Sequence, residues 1–368
     1  MKEHPLIYAV VVLISEIFGV RTMTMQTYDT TAQRIGKLKG AILKHAVPKE
    51  VLGITGTQHK MGKNQSDTVI FRRWLPYGGA TTNATTINEW VVDPNTHLTQ
   101  DGVTPPADTL IPQDITVTLN QYSALYMYTD KTAELYEDDI PMAMKKQCGQ
   151  RMGLVREKVR YGVLKGCTNL FYAGGTSRVT VDETVKLGLL RKVTRSLLGN
   201  RCDMITEILS PSANYNTTAV EAGFLVFCHT DCENDIRELP GFVECASYGS
   251  RKVMHECELG AVDRYRFIIS PELTSIPDSG AAVGATGLVS TTGANIDVYP
   301  VIVVGEDAWG DVALRGLNSF DVSHIPHSQK DKNDPHGQRG YVGAIFWCAP
   351  FIQNDGWMAV VEVGCTDL

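Results

Sequence analysis

The amino-acid sequence predicts a soluble protein of the α+β class, and three observations support this prediction. Its 368 residues are 43% hydrophobic and 20% charged, a composition typical of a globular chain that buries a core. Between about residues 205 and 320, predicted strands, turns and one helix follow one another. The nine cysteines are odd in number and irregularly spaced, which indicates buried thiols in a reducing compartment rather than a disulfide scaffold.

Residues 1–65 are predicted to form an N-terminal arm without a core of its own. The run from Leu6 to Ser15 is apolar and resembles the middle of a secretory signal. Glu16 interrupts this run, which is also shorter than the roughly 20 residues of a membrane span. We therefore expect no membrane association. An arm that packs on a neighbouring subunit and a reading frame that starts at Met23 or Met25 both remain open, with an export signal as a further alternative.

Residues 66–120 contain two predicted strands that flank a long excursion. The first strand runs from Ser66 to Leu75, and the second begins near Ile115. The stretch of about forty residues between them is rich in Thr and punctuated by Pro and Gly. A structureless loop of this length is uncommon inside a compact monomer. We expect it to be functional or to be stabilised by another chain.

A long amphipathic helix is predicted to begin near Asp138, where acidic residues and Pro141 suit a helix N-terminus. Apolar residues recur along it at helical spacing, namely Met144, Cys148, Met152, Val155, Val159 and Val163. A second helix is predicted from Val185 to Leu198. Together with the strands between residues 205 and 320, these helices complete the predicted α+β chain.

Basic residues concentrate on the two predicted helices. From Lys145 to Arg201 there are thirteen basic and three acidic residues, a net charge of +10; the whole chain carries −7, so the remainder carries −17. The candidate contacts to a polyanion are Lys145, Arg156, Arg160, Arg191, Lys192 and Arg195. A charged helix face that is only solvated is the alternative interpretation.

Searches for catalytic chemistry return no motif. The sequence has no P-loop, H-E-x-x-H, G-x-S-x-G or C-x-x-C pattern. One set of soft ligands is spaced so that zinc binding is an alternative: Cys228, Cys232, Cys245, His255 and Cys257. The preferred interpretation is a buried strand at residues 224–227 followed by a short helix. We therefore predict no catalytic residue, no metal and no cofactor.

Near the end of the chain, residues 334–343 read D-P-H-G-Q-R-G-Y-V-G, and an apolar stretch follows. This segment resembles a D-P-x-G-Q-R-G-x-V-G signature in the coat proteins of N-four-like podophages. Segments at residues 227–249 and 259–271 resemble the same family in the same order. From about residue 26 to residue 368, the sequence thus resembles the major capsid proteins of tailed phages, which have the Hong Kong 97-type fold.

The resemblance implies an organisation for the whole chain. It implies an N-terminal arm (1–65), an extended loop (66–120), a peripheral domain (121–200) with a spine helix at about 136–173, an axial domain (201–324) and a return to the peripheral domain (325–368). The last part is expected to form a closing hairpin, with residues 341–352 and 357–363 as its strands and a turn at residues 354–356.

The resemblance also implies a structural role. We expect pentamers and hexamers in an icosahedral shell, with double-stranded DNA bound without sequence specificity on the inner face. Scaffold, portal and cement proteins are the expected partners, and the virion is the expected location after assembly in the host cytoplasm. A shell-forming nanocompartment protein is the alternative, and an enzyme with an unrecognised site is a further one.

The turn at the start of the signature is the predicted assembly motif, and it comprises Gly337, Gln338, Arg339 and Gly340. The planar guanidinium of Arg339 is suited to a charge-assisted contact, within the subunit or across an interface, that lysine would not reproduce. Alternatively, the glycines only shape the turn and Arg339 is solvated.

Overall fold

The computed structural model describes residues 50–62, 66–74, 98–99, 101–102, 112–136, 139–205, 222–248, 253, 255–284, 286–314, 321–330, 332 and 334–368. Most of the predicted arm (1–49) and the middle of the predicted extended loop (75–97 and 103–111) lie outside the described residues. Among the described helices, none is both long and apolar enough to cross a membrane.

The described elements are mixed in class, as predicted. The strands are β1 (Thr57–Met61), β2 (Thr68–Trp74), β3 (Pro112–Thr118), β4 (Asn120–Thr129), β5 (Leu170–Tyr172), β6 (Phe224–Cys228), β7 (Val243–Glu244), β8 (Glu258–Val262), β9 (Tyr265–Ile269), β10 (Tyr299–Val304), β11 (Trp309–Leu314), β12 (Asp321–Ile325), β13 (Arg339–Ile352) and β14 (Met358–Val363). The helices are α1 (Asp130–Leu135), α2 (Ile140–Leu164), α3 (Leu187–Gly199) and α4 (Glu233–Arg237).

The contacts divide the chain into two compact units. Within the described residues, the first unit takes its elements from Ser123–Met152 and Phe320–Phe346. The second takes them from Val47–Tyr122, Gly153–Ser319 and Trp347–Leu368. Helix α2 and strand β13 each contribute one part to each unit.

A seven-stranded mixed sheet forms the centre of the second unit, in the order β5, β14, β10, β6, β9, β8, β7. Side chains alternate between its two faces, as they do on any strand. On β6, Phe224 and Val226 join a core with α3, whereas Leu225 and Phe227 join a core with the end of α2. Both faces are therefore covered, which explains why β6, β10 and β14 are apolar almost throughout.

The predicted closing hairpin is wrong. Strand β13 pairs with β11 and β12, whereas β14 pairs antiparallel with β10 and parallel with β5. Between them, Asp355–Trp357 forms a 3-10 turn, and the amides of Gln353 and Asn354 both donate to the carbonyl of Ala308. These bonds direct the chain into the seven-stranded sheet. The expected turn residues are present, but they carry the chain between two sheets.

The two strands predicted around the long excursion are present. Strands β2 and β3 pair antiparallel from Thr68 with Thr118 to Trp74 with Pro112. Below them, Phe71 stacks on Phe351 with ring centroids 4.6 Å apart. Strand β1 pairs parallel with β11, which pairs in turn with the second part of β13.

The first unit contains β12 and α1, most of β4, and parts of α2 and β13. Strand β12 pairs antiparallel with β13, from Asp321 with Ile345 to Ile325 with Tyr341, and β4 also pairs with β13. Helix α2 begins later and ends earlier than the predicted span of 136–173. The Asp139 side chain accepts a hydrogen bond from the amide of Met142 and so caps its first turn.

Candidate assembly and polyanion-binding surfaces

The second half of α2 buries a network of charged residues. The guanidinium of Arg160 donates to one oxygen of Asp311 from Nη2 at 2.8 Å and from Nε at 3.1 Å. The Arg160 side chain is only 3% exposed and the Asp311 side chain is fully buried. The guanidinium also lies over the ring of Trp309, 6.0 Å from its centroid. The network therefore neutralises Arg160 inside the protein.

Arg160 is thus not available to a polyanion, and its prediction as a genome-facing residue is wrong. The apolar stripe read from the sequence places this arginine on a solvated face. In this part of the helix, however, the buried positions are Glu157, Arg160, Tyr161 and Leu164, while Val155, Val159 and Val163 are half-buried. Asp311 makes this possible, because a buried guanidinium is tolerated only with a partner.

Arg156 is also engaged inside the subunit. Its Nη2 and Nε donate to Oε2 of Glu50 at 2.6 and 3.0 Å, and its side chain is 15% exposed. Its expected role in binding a polyanion is therefore not supported by this geometry. Instead, Arg156 binds Glu50, which lies in the segment that precedes β1.

Glu157 anchors the same segment before β1. Its Oε1 accepts hydrogen bonds from the amides of Val51 and Leu52, both at 2.9 Å. Within the described residues, its buried Oε2 has no hydrogen-bond partner. Burial raises the pKa of Glu157, and the two amide hydrogen bonds oppose that rise only in part. Sequence reasoning missed this residue, although it is the single acid among the basic residues of α2.

Helix α3 presents its basic residues differently. Leu190, Val193 and Leu197 are buried against the sheet, so the opposite face of this helix meets solvent. Arg191, Lys192 and Arg195 are all exposed. Nε of Arg191 lies 3.8 Å from Oδ2 of Asp263, and both side chains are exposed. These three residues remain candidates for binding a polyanion, and so does Lys145, which is exposed in the first unit.

The predicted assembly motif forms a well-defined turn in the first unit. The carboxylate of Asp334 accepts hydrogen bonds from the amides of Gly337 and Arg339, at 3.1 and 2.7 Å. Backbone hydrogen bonds, that of Gln338 foremost, lower the pKa of Asp334. The carbonyl of Gln338 also accepts from the amide of Asp130 at 3.0 Å, which ties the turn to α1.

Both glycines of this turn are required by its geometry. Gly337 has φ +71°, a backbone conformation that favours glycine. A Cβ at Gly340 would overlap the ring of Tyr128, whose hydroxyl makes a hydrogen bond of 3.0 Å with Nε2 of His324. Arg339 extends from this turn as an exposed residue. Within the described residues, its guanidinium donates no hydrogen bond, although its charge contributes to lowering the pKa of Asp334.

The cysteines proposed as zinc ligands take up another arrangement. Cys228 and Cys232 are buried, whereas Cys245 and Cys257 are half-buried. Within the described part of the chain, no group of three or more His, Cys, Asp or Glu side chains is placed to hold a metal ion. The local structure is instead the buried strand followed by a short helix that the sequence favours. Strand β6 is followed by a 3-10 turn at Thr230–Cys232 and then by α4.

Comparisons with known proteins point to one class of protein. No family model matches the sequence. The chain is 20% identical, over 200 residues, to the major capsid protein of Pseudomonas phage KPP21. That alignment covers 51% of this chain and 49% of the relative, so this chain spans about half the length of the curated relative it matches.

Three solved structures illustrate the similarity in fold. The capsid of Ralstonia phage GP4 matches with a TM-score of 0.62 and 12% identity, over 94% of this chain and 99% of that one. The cyanophage Pam1 capsid matches with a TM-score of 0.57 and 14% identity, over 94% and 100%. The head of Helicobacter pylori bacteriophage KHP40 matches with a TM-score of 0.57 and 12% identity, over 94% and 99%. The chain therefore has the α+β fold of phage capsid proteins.

Proposed function

We propose that this chain is the major capsid protein of a tailed phage, and that its copies assemble into the icosahedral shell that encloses double-stranded DNA. The observation that carries the proposal is the match in fold to phage capsids over nearly the full length of both chains. Since no catalytic motif is found in the sequence, we propose a structural role rather than an enzymatic one. Its location would be the virion, after assembly in the host cytoplasm.

The finer classification is part of the same proposal. The signature at residues 334–343 supports membership of the N-four-like podophage coat family with the Hong Kong 97-type fold. We assign α2 to the spine of a peripheral domain, and most of the seven-stranded sheet to an axial domain around the centres of pentamers and hexamers. The first part of β13 would complete the peripheral domain.

The paired strands β2 and β3 support contacts between subunits. One face of this pair is exposed and carries Ile70 and Trp74, whose exposed fractions are 61% and 57%. Arg72 and Asp114 form an ion pair between them on the same face. A large exposed apolar pair next to charged groups is typical of a surface that another chain covers. In a shell, the chain that covers this surface would be a neighbouring subunit.

The basic residues suit a genome-facing surface only in part. Arg191, Lys192 and Arg195 on α3, together with Lys145, supply exposed positive charge that offsets phosphate repulsion without reading sequence. Arg339 is proposed to make a contact across a subunit interface, because a fixed turn presents its guanidinium to solvent. Scaffold, portal and cement proteins are proposed as further partners.

Assembly of the expressed full-length chain tests the proposal. A lysate would be separated on a sucrose gradient, and the fast-sedimenting fraction would be imaged by electron microscopy. Closed icosahedral shells or capsomer sheets are the expected result, because many modest contacts repeated by symmetry favour large assemblies. A chain that stays monomeric, alone and with candidate scaffold genes, would contradict the proposal.

A shell-forming nanocompartment remains the second candidate, because such a protein differs in cargo rather than in the need to assemble. Purified particles separate the two candidates. Packaged double-stranded DNA supports the capsid, whereas particles that enclose a protein and no nucleic acid support the nanocompartment. The exposed charge on α3 favours DNA.

A further inference from the structure

Two buried cysteines from distant parts of the chain lie in direct contact. The Sγ atoms of Cys232 and Cys365 are 2.7 Å apart, and 133 positions separate the two residues in sequence. The two side chains belong to residues that are only 1% and 0% exposed. A thiol is a weak hydrogen-bond donor, and this separation is short for two sulfur atoms that are not bonded. The two sulfur atoms are therefore close enough to form a disulfide bond after a small movement.

The surrounding hydrogen bonds hold the two segments together independently of the sulfur atoms. The carboxylate of Asp235, on the helix α4 that follows the turn carrying Cys232, accepts from the amide and the hydroxyl of Thr366 at 3.0 and 2.6 Å. The carbonyl of Cys365 accepts from the amide of Val289 at 2.9 Å. The backbone thus positions both cysteines before any bond forms, which is the condition for a disulfide without large rearrangement.

We propose that Cys232 and Cys365 form a disulfide bond when the protein meets an oxidising environment. The bond would join the turn after β6 to the residue that follows β14 by two positions. Both strands belong to the seven-stranded sheet, so the disulfide would close a long loop around that sheet. The inference concerns the folded chain itself and does not depend on the proposed capsid function.

The chemistry requires an oxidant, and a small-molecule disulfide such as oxidised glutathione supplies it. The thiolate of one cysteine attacks the small disulfide, which forms a mixed disulfide and releases one small thiolate. The second protein thiolate then attacks the protein sulfur of the mixed disulfide and releases the other. Two electrons and two protons leave the protein thiols, and the small disulfide becomes two thiols. No other reactant is needed.

Burial controls the rate of this reaction. It raises the pKa of Cys365, so the thiol stays protonated while the site is closed. Opening needs only a local movement, because Thr366 is half-buried and Asp367 is exposed. Release of the Thr366 contacts with Asp235 and of the hydrogen bond from the amide of Asp367 to Gly287 would uncover Cys365. We therefore expect slow oxidation in the native protein and faster oxidation during folding.

Cys228 is the competing partner, since it precedes Cys232 by four residues. Its Sγ, however, donates to the carbonyl of Ile268 at 3.8 Å, on the neighbouring strand β9. This contact directs the sulfur along the sheet. A Cys228 disulfide with either residue is therefore the outcome that the structure disfavours.

The test uses the purified full-length chain in buffers of increasing ratio of oxidised to reduced glutathione. After quenching in acid and unfolding, free thiols are counted by alkylation, and cross-linked peptides are identified by mass spectrometry. We expect a chain with nine cysteines to lose two free thiols and to yield a peptide that joins Cys232 to Cys365. The oxidised chain is expected to melt higher by about 10 °C, and a reductant should reverse this shift.

Two variants provide the controls. Cys365→Ser should retain the same number of free thiols in every buffer, whereas Cys348→Ser, which removes a different buried cysteine, should still lose two. If Cys365→Ser does not fold, the peptide map of the unaltered chain decides alone. Full retention of all nine thiols in the most oxidising buffer, or a cross-link between other cysteines, would overturn the proposal.

Discussion

Helix α3 and the second half of α2 are both basic in sequence, yet the basic side chains of α3 are exposed whereas those of this half of α2 are paired inside the subunit. On α3, Arg191, Lys192 and Arg195 are exposed. On α2, Arg156 and Arg160 are drawn into contacts with Glu50 and Asp311. The difference lies in the partners and not in the helices. A carboxylate from a distant part of the chain converts a surface charge into a structural one.

The two groups of residues should therefore respond differently to substitution. Loss of a charge on the second half of α2 should destabilise the fold, because a carboxylate inside the subunit loses its cation. Loss of a charge on α3 should leave the fold unchanged and weaken only an interaction with a polyanion.

The largest expected effect is that of Arg160→Met. It leaves the buried carboxylate of Asp311 without its cation, and we expect the free energy of unfolding to fall by about 3–5 kcal/mol. Urea denaturation of the soluble subunit measures it. The double variant Arg160→Met with Asp311→Leu is the control, since replacing both ions with apolar residues should recover most of the loss. A single variant as stable as the parent would show that the ion pair is not structural.

The next effect is a pH dependence that belongs to Glu157. Because its pKa in the folded state is raised above the ordinary value of 4.5, its contribution to stability is fully present below that value and is lost as the pH rises through the raised pKa. Glu157→Gln keeps an oxygen for the amides of Val51 and Leu52 but does not ionise. The stability of the parent minus that of the variant should therefore fall with rising pH, by at most about 1.4 kcal/mol per pH unit.

Denaturation curves for both proteins, measured from about pH 4.5, the ordinary pKa of a glutamate, up to about pH 8, would test this difference. Asp334→Asn is a useful contrast, because the pKa of Asp334 is lowered by backbone hydrogen bonds. Its contribution is present above its ordinary value of 3.8 and is lost only in more acidic solution. A difference between parent and Glu157→Gln that rises with pH would contradict the assignment.

A smaller loss is expected for Arg156→Gln. The ion pair with Glu50 is partly exposed, and Glu50 keeps a second cation, since Nη1 of Arg160 lies 3.7 Å from its Oε2. We expect the free energy of unfolding to fall by about 1 kcal/mol, to be measured by the same denaturation assay. If the free energy of unfolding falls as much as for Arg160→Met, the two arginines stabilise the fold as one coupled network, which would contradict this prediction.

The smallest effect on stability is expected on α3. Replacement of Arg191, Lys192 and Arg195 by Gln should change the free energy of unfolding by less than about 0.5 kcal/mol. In a DNA-binding titration, however, the slope of log K against log salt concentration should become shallower by up to about 2.7, because three phosphate contacts are removed. The control replaces the exposed Lys60, Lys131 and Lys330 by Gln and should keep the slope. Equal slopes for the two variants would remove α3 from the DNA interface.

Local sequence patterns were sufficient to predict several of the helices, strands and turns. Strand β6, helix α3 and the glycine turn at Gly337 were all predicted, because apolar periodicity and turn-forming residues act over a few positions. The pairing of the last two long strands was not predictable in this way. Residues 354–356 have the composition of a hairpin turn, but the carbonyl of Ala308 binds this segment and leads β14 to β10.

The sequence by itself determined the α+β class, the two basic helices and the turn that presents Arg339, since each depends on residues close together in the chain. Only the tertiary structure decided that Arg160 is buried, that β13 and β14 join different sheets, and that Cys232 meets Cys365. Asp311 lies 151 positions from Arg160, and Cys365 lies 133 positions from Cys232. Such contacts depend on how the whole chain closes, because burial and charge pairing are properties of neighbours in space.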